Sequence, residues 1–572
     1  MEHSNDLDQG NKNEFSGSIS NNINDLMNKY KITGLSISVV KDNNIIWSNG
    51  FGYSDKENRQ NATEHTKYLI GSMTKLFTGT AIMQLAEIGR IELDSPVTDY
   101  LTEFKIKSRS GSESIITVRN LLTHHSGLPC DNFDKFYNEF PDNTNNTFRK
   151  ALDYINNNYS SYEPNYIWSY SNLGYSLLGM IIEKVSGQDY CEYIKENILK
   201  PLDMTESGTI LDADMVSALA KTYANNKFEP EGFLRDLPAG CVISTASDMA
   251  KFVGMVLNYG KYNDNVISEK SIKEMLTCQN PAFSLDLGFK MGLSWMLEWS
   301  GYDYAGKVAW HDGSSEHYNG LTIVLPDQKL GIVLLSNSSA ALPVFLRKVA
   351  NIVLNEVLSQ NGIVEPSDND IDHAPIRQVD SKLIAGTYAG LNGLITIKNE
   401  KNALKINMSG LNLFLKPVYD DWFEPELKLF GKINIKLKQL SKIRVAVKIF
   451  DGEQFLAIEQ TVENLKFKQL VARKLKDSMD NFAWVNYVGK YEAVDHKNTV
   501  TNEIVVGLKN GVIYINAVAR KLGRLKIILD PISDDEAITV GMGRFSSETI
   551  KHMTENSFDC IELFGLKYKK CV

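Results

Sequence analysis

Ser72 and Lys75 stand three residues apart in Gly71-Ser72-Met73-Thr74-Lys75, at the head of an apolar stretch in which Leu76, Phe77, Ala81, Ile82 and Leu85 recur at three- and four-residue spacing. That spacing predicts a helix with one buried face, and on a helix residues three apart are neighbours. A hydroxyl and an amine one turn apart are within proton-transfer reach, the layout of an activated serine nucleophile. The same Ser-x-x-Lys spacing occurs at Ser38-Val39-Val40-Lys41, inside the alternating β-branched run 35–40. On a strand, residues three apart point to opposite faces, so this copy cannot bring its hydroxyl and amine together. Ser72 is therefore the candidate nucleophile and Lys75 its candidate base. A lysine acts as a base only through its neutral fraction. Lys75 is thus expected to be lowered in pKa by burial and nearby positive character, or else to act by holding Tyr170 ionised.

The elements that must position this pair can be read along the chain. At 572 residues it exceeds one hydrophobic core and should split into two or three domains, with ordinary globular fractions of 43% apolar and 23% charged residues. Residues 1–15 are polar and read as a flexible N-terminus. Ile19, Ile23, Leu26, Met27 and Tyr30 mark an amphipathic helix, followed by a hairpin, 35–41 with 44–50, turned at Asp42-Asn43. After a mostly helical middle, 321–325 and 332–336 form a second hairpin and 341–358 a helix, so 16–360 reads as one α/β domain. Residues 361–377, rich in Pro, Asp and Ser, read as a linker. From 378 to 572, short alternating runs such as 432–438 and 512–516 predict an all-β region. Its two similar openings, Leu383 to Tyr388 and Tyr487 to Tyr491, fit either two small β modules or the halves of one eight-stranded barrel. One barrel is the preferred expectation, serving packing and homo-oligomerisation rather than a ligand pocket.

Composition also excludes classes of function. A net charge of −9 leaves no basic surface for nucleic acid, and no stretch reaches the roughly 18 uncharged apolar residues of a membrane span. The N-terminus carries acids and lacks the apolar core of a signal peptide, so a cytoplasmic location is expected, or an extracytoplasmic one if a leader has been trimmed. Six cysteines without a C-x-x-C pair read as reduced thiols. Adjacent His124 and His125 cannot chelate one metal from a helix face, and with no H-E-x-x-H spacing neither metal nor cofactor is expected.

Six blocks in order, GSMTK at 71–75, LLTHHSGLP at 121–129, YSNLGYSLLG at 170–179, PLDMTESG at 201–208, LPAGCVISTASDMAKF at 237–252 and WHDG at 310–313, resemble the serine β-lactamase and penicillin-binding-protein-like hydrolases. The resemblance covers about 32–354 and is strongest to the class C and D-peptidase/esterase branch. It implies an α/β (α+β) domain with an antiparallel sheet flanked by helices, followed by an all-β lipocalin-like region. It implies that Tyr170 shares the serine's proton with Lys75 and that Asn172 holds a peptide-like substrate. It also implies that His311 and Gly313 form the third block, and that the N–H groups of Ser72 and Ser314 make the oxyanion hole. Where lactamases carry Lys-Thr-Gly, this chain has His311-Asp312-Gly313, similar to the H-x-G of the peptidase and esterase relatives. Pro164-Asn165 is a milder departure from the usual Pro-Gly.

The function so implied is a serine hydrolase working through an acyl-enzyme on small peptides, amides or esters, first of all a D-amino-acid-specific peptidase or esterase. The alternatives are β-lactamase or penicillin-binding activity with β-lactams as slow acylating inhibitors, acyl transfer to an alcohol or amine, and a non-catalytic binding or scaffold protein. Ser72, Lys75, Tyr170 and His311 together favour catalysis. The aromatics of the loops 130–165 and 275–305 read as packing.

Overall fold

The computed structural model describes residues 6–571 apart from 43, 110, 112–114, 139–146, 263–264, 366–374, 378, 392, 401–402, 409, 430–432, 436–439, 463–464, 477–481, 496–500, 520–522 and 556. Asn43, most of the 361–377 segment and most of the run 432–438 therefore lie outside the described residues.

An antiparallel sheet of eight strands organises the first 360 residues. In chain order the strands are β1 (Gly34–Lys41), β2 (Asn44–Asp55), β3 (Gln60–Asn61), β4 (Lys290–Met291), β5 (Met296–Leu297), β6 (Ala309–Ser314), β7 (Asn319–Leu325) and β8 (Leu330–Ser336). They lie in the order β4-β5-β6-β7-β8-β1-β2-β3. β7 and β8 are buried along their whole lengths, because helices cover both faces. On one face, Leu35, Ile37 and Val39 of β1 pack with Ile23 and Met27 of α1 (Asp6–Tyr30) and with Phe345 and Val349 of α5 (Pro343–Gln360). On the other face, Val324, Val333 and Leu335 pack with α2 (Thr74–Glu87), α3 (Asn172–Ser186) and α4 (Ala246–Leu257). Helix α1 begins at Asp6, earlier than the apolar spacing alone predicts for a chain read as flexible to 15. No proline interrupts 6–18, so nothing in the backbone stops the helix there.

The β region forms two barrels, not the one preferred from the sequence. Strands β9 (Gly386–Gly390), β10 (Gly393–Glu400), β11 (Ala403–Met408), β12 (Leu411–Tyr419), β13 (Trp422–Leu429), β14 (Ile443–Phe450), β15 (Glu453–Val462) and β16 (Leu465–Lys474) run in the order β12-β11-β10-β9-β16-β15-β14-β13, and pairing of β12 with β13 closes the ring. A second closed barrel comprises β17 (Gly489–Ala493), β18 (Glu503–Lys509), β19 (Val512–Ala519), β20 (Gly523–Pro531), β21 (Glu536–Val540), β22 (Thr549–Glu555), β23 (Phe558–Leu563) and β24 (Leu566–Lys570). The two openings that look alike in sequence build the same local structure. Tyr388 and Tyr491 are both fully buried, and each hydroxyl donates to the carbonyl four residues back, of Ile384 at 2.9 Å and of Tyr487 at 2.7 Å. Each opening thus starts its own barrel.

Both barrels pack against the first domain. Trp422, Ala446 and Phe455 of the first barrel share an apolar cluster with Tyr162, Ile167 and Leu285, and Met542 of the second barrel joins them. All six cysteines are free thiols. Among the described residues no helix is long and apolar enough to cross a membrane, and no group of three His, Cys, Asp or Glu side chains could hold a metal.

Candidate active site

Ser72 lies in a 3-10 turn, Gly71–Met73, that runs straight into α2, so the helical spacing read from the sequence is realised. Lys75, on the first turn of α2, is fully buried. Its Nζ lies 3.1 Å from Ser72 Oγ and donates to the Ala239 carbonyl at 2.9 Å. The ring centroids of Tyr170 and Tyr175 lie 4.9 and 5.3 Å from the same nitrogen. The other Ser-x-x-Lys copy is on β1, where Ser38 hydrogen-bonds Ser48 and Lys41 reaches the Gln328 carbonyl.

Burial holds the Lys75 pKa well below 10.5, and the Arg544 cation lowers it further, against the opposing pull of Asp131, Asp236 and Asp312. At an ordinary pKa of 10.5, only about one lysine in three thousand is neutral at pH 7, and each unit of lowering multiplies that fraction about tenfold. Tyr170 behaves in the opposite way. Desolvation pushes its hydroxyl far up, although it hydrogen-bonds Ser72. Burial thus opposes the ionised form of Tyr170, while the Ser72 hydrogen bond and the Arg544 cation favour it.

The remaining predicted residues surround this pair. Ser171 caps α3, accepting from Gly174 N, and so places Asn172 at its first position. Asn172 Nδ2 donates to Asp131 Oδ1 at 2.7 Å, while its Oδ1 is buried with no partner among the described residues. The Asn172 carbonyl is thus the unpartnered acceptor of this amide. His311 is buried on β6, and desolvation pushes its pKa down to about 4. Its Nδ1 lies 2.6 Å from the Asp312 carbonyl, an acceptor only, so Nδ1 carries the proton and Nε2 is an unpartnered acceptor. This histidine adds no positive charge at neutral pH. Asp312, next along the strand, falls on the opposite face with Trp310, where the Arg347 guanidinium sits 5.3 Å from the Trp310 ring.

Glycines allow β6 to approach the nucleophile. A Cβ on Gly313 would sit 2.0 Å from the Ile70 carbonyl oxygen, and one on Gly71, whose φ is +55°, would sit 2.8 Å from Ser314 N. The Ser314 backbone thus lies against the turn that carries Ser72, as an oxyanion hole shared by those two residues requires. His124 braces the segment that carries Tyr170 and Ser171. Its Nδ1 accepts from Ser171 N at 3.1 Å, and its ring packs 4.2 Å from that of Tyr170.

A second set of residues enters from the far end of the chain. The loop 541–548 between β21 and β22 reaches the cleft, where Arg544 donates to Asp131 Oδ2 and stands 5.2 Å from the Tyr170 ring centroid. Glu548, buried in the same loop, accepts from Cys130 N at 3.0 Å and from Cys130 Sγ at 2.8 Å. Arg109 donates to the Ser547 carbonyl and to Thr549 Oγ1, and Tyr162 to the Gly543 carbonyl. Arg544, Asp131 and Glu548 carry no local sequence signal, since Arg544 and Asp131 are 413 positions apart.

Desolvation pushes the Glu548 carboxyl up to about 7, so the docked loop favours the protonated acid. A carboxyl whose folded pKa exceeds its unfolded value of about 4.5 stabilises the fold at low pH, and this contribution is lost as pH rises through about 7. Melting temperatures measured from pH 5 to 8 should therefore fall more steeply for the wild type than for Glu548→Gln. Parallel profiles would show that Glu548 does not titrate in this window.

A helix-covered antiparallel sheet, with serine and lysine one turn apart at a helix start and a tyrosine hydroxyl on the serine, defines the serine β-lactamase and penicillin-binding-protein class. The chain belongs to the Beta-lactamase family, whose model matches residues 19–354. It is 29% identical to Protein flp of Staphylococcus aureus (strain N315) over 318 residues, 54% of this chain and 61% of that protein. The chain thus spans about three fifths of the length of these curated relatives. It is 26% identical to Penicillin-binding protein 4 of Amycolatopsis lactamdurans over 335 residues, 57% of this chain and 85% of that one. Among solved structures, the octameric penicillin-binding protein homologue from Pyrococcus abyssi matches with a TM-score of 0.54 at 26% identity, covering 80% of this chain and 99% of that chain. SurE with D-Leu shares the fold, with a TM-score of 0.55 at 21% identity over 81% of this chain and 100% of that one.

Proposed function

We propose that this protein is a serine hydrolase that cleaves small peptides, amides or esters through an acyl-enzyme on Ser72, with D-amino-acid derivatives as the preferred class. The observation that carries the reading is the buried Lys75 amine 3.1 Å from Ser72 Oγ, its pKa lowered by desolvation. Ser72 Oγ attacks the substrate carbonyl carbon while Lys75 takes its proton. The oxyanion is met by the N–H groups of Ser72 and Ser314, each such donor being worth about 3 kcal/mol in a dry site. Tyr170, protonated and hydrogen-bonded to Ser72, hands its proton to the leaving amine or alcohol and regains one from the lysine ammonium. Water, deprotonated by the same pair, then releases the acid and restores Ser72.

The third block favours amides and esters over β-lactams. A neutral His311 with an unpartnered Nε2 acceptor suits an N–H donor of a substrate and offers no cation to a β-lactam carboxylate. Arg544 stands 5.2 Å from the Tyr170 ring, so a loop of the second barrel borders the site, which suits short substrates rather than polymers. The test is hydrolysis of the p-nitroanilides and methyl esters of D-Leu and L-Leu. The reading expects D-Leu derivatives to be cleaved with the higher kcat/KM and cleavage to vanish in Ser72→Ala. Equal loss-free turnover in the variant, or preference for a β-lactam over every amide and ester, would overturn it.

A further inference from the structure

The second barrel is not filled by its own side chains at one end. Along β19 the inward residues run Ile513, Ile515, Ala517, Ala519, two large and then two small, with the polar or exposed positions alternating between them. The two alanines leave room where a taper of larger residues would close an eight-stranded barrel. The space is a cavity of about 390 Å³, walled mainly by apolar side chains that include Leu525, Ile527 and Phe564. That volume falls within the range of small-molecule sites. The end of the barrel that opens is the end that faces the first domain, since Phe133 and Arg544 complete the wall.

Arg544 gives this apolar cavity one fixed cation. One guanidinium nitrogen is held by Asp131, but Nε is buried without a partner among the described residues, and 38% of the side-chain surface still faces open space. An unsatisfied buried N–H costs free energy that an oxygen acceptor would recover, and a charge-assisted bond to a carboxylate is the strongest such remedy. We infer that the mouth of the second barrel binds a monocarboxylate with an apolar tail, the carboxylate on Arg544 and the tail lying against Ala517, Ala519 and Leu525. This inference does not depend on the chemistry proposed for Ser72.

Calorimetric titration of the full chain with octanoate, octanol and acetate tests it. The expected result is saturable octanoate binding that weakens at least tenfold in Ala517→Trp and in Leu525→Trp, which fill the cavity from different strands. Arg544→Gln should weaken octanoate about tenfold and change octanol less than twofold. Absence of saturable octanoate binding to the wild type would overturn the inference, as would acetate binding equal to octanoate, or unchanged affinity in both filled variants. Labelling of Ser72 by a fluorophosphonate in the filled variants reads the other site separately, so failure of one assignment is not mistaken for failure of the other.

Discussion

Lys75→Met is expected to slow acylation of Ser72 by about 10²–10⁴-fold, the usual worth of a positioned general base, or about 3–5 kcal/mol of barrier. Methionine keeps the length and apolar contacts of the lysine stem in a fully buried position, so the loss is chemical rather than a collapse of packing. Removing a desolvated amine should leave the melting temperature unchanged or higher, because the group is costly to bury. The wild-type rate should rise with pH along a limb set by Lys75, placed well below 10.5 by burial and by Arg544, and that limb should be absent in the variant. An acylation rate within threefold of wild type would remove Lys75 from the role of base.

Arg544→Gln is the second large effect, and it acts from another barrel. The guanidinium lowers the Lys75 pKa, and it pairs with Asp131, whose charge raises it. Losing the cation removes the first influence and leaves Asp131, fully buried, unopposed. Both changes move the Lys75 pKa upward. A shift of one unit reduces the neutral fraction tenfold at pH 7, so acylation should fall about tenfold or more there and recover toward wild type as the pH is raised. Recovery separates this account from a merely damaged site, which would stay slow at every pH. Arg544→Lys, which keeps a cation in the loop, should restore part of the rate.

The contrast between these two residues shows what a single sequence exposes. Ser72 and Lys75 are legible because their relation is local. Helical spacing fixes it, and the strand around Ser38 excludes the competing copy. The hairpin β7–β8 and the helix after it are legible for the same reason, since β8 is bounded by a turn and buried on both faces. Arg544 reaches Asp131 across 413 positions, and no periodicity around Arg544-Phe545 distinguishes it from any other loop arginine. The barrels fall between these cases. The matched openings at Tyr388 and Tyr491 are visible as a repeat, but whether each set of strands closes on itself depends on pairings between the first and last strands, which alternation cannot specify. Here β9 meets β16 and β17 meets β24, so each repeat completes its own ring. At Ala517 and Ala519 an apolar alternation is preserved while side-chain volume is lost, a difference that binary patterning does not register.

The side of the sheet taken by Asp312 was also open from sequence, because His311-Asp312-Gly313 reads equally well in either register. The structure turns His311 toward the lysine and Asp312 toward Arg347 and Trp310. Burial on that side lowers the His311 pKa, so the third block leans toward a neutral acceptor rather than a charged one.

Ser72 is proposed to lie in an assembled acylation site. Intact-mass measurement after treatment with a fluorophosphonate, on the wild type and on Ser72→Ala, tests it most directly. One covalent adduct is expected on the wild type and none on the variant. An unmodified wild type, or an adduct that persists in Ser72→Ala, would contradict it.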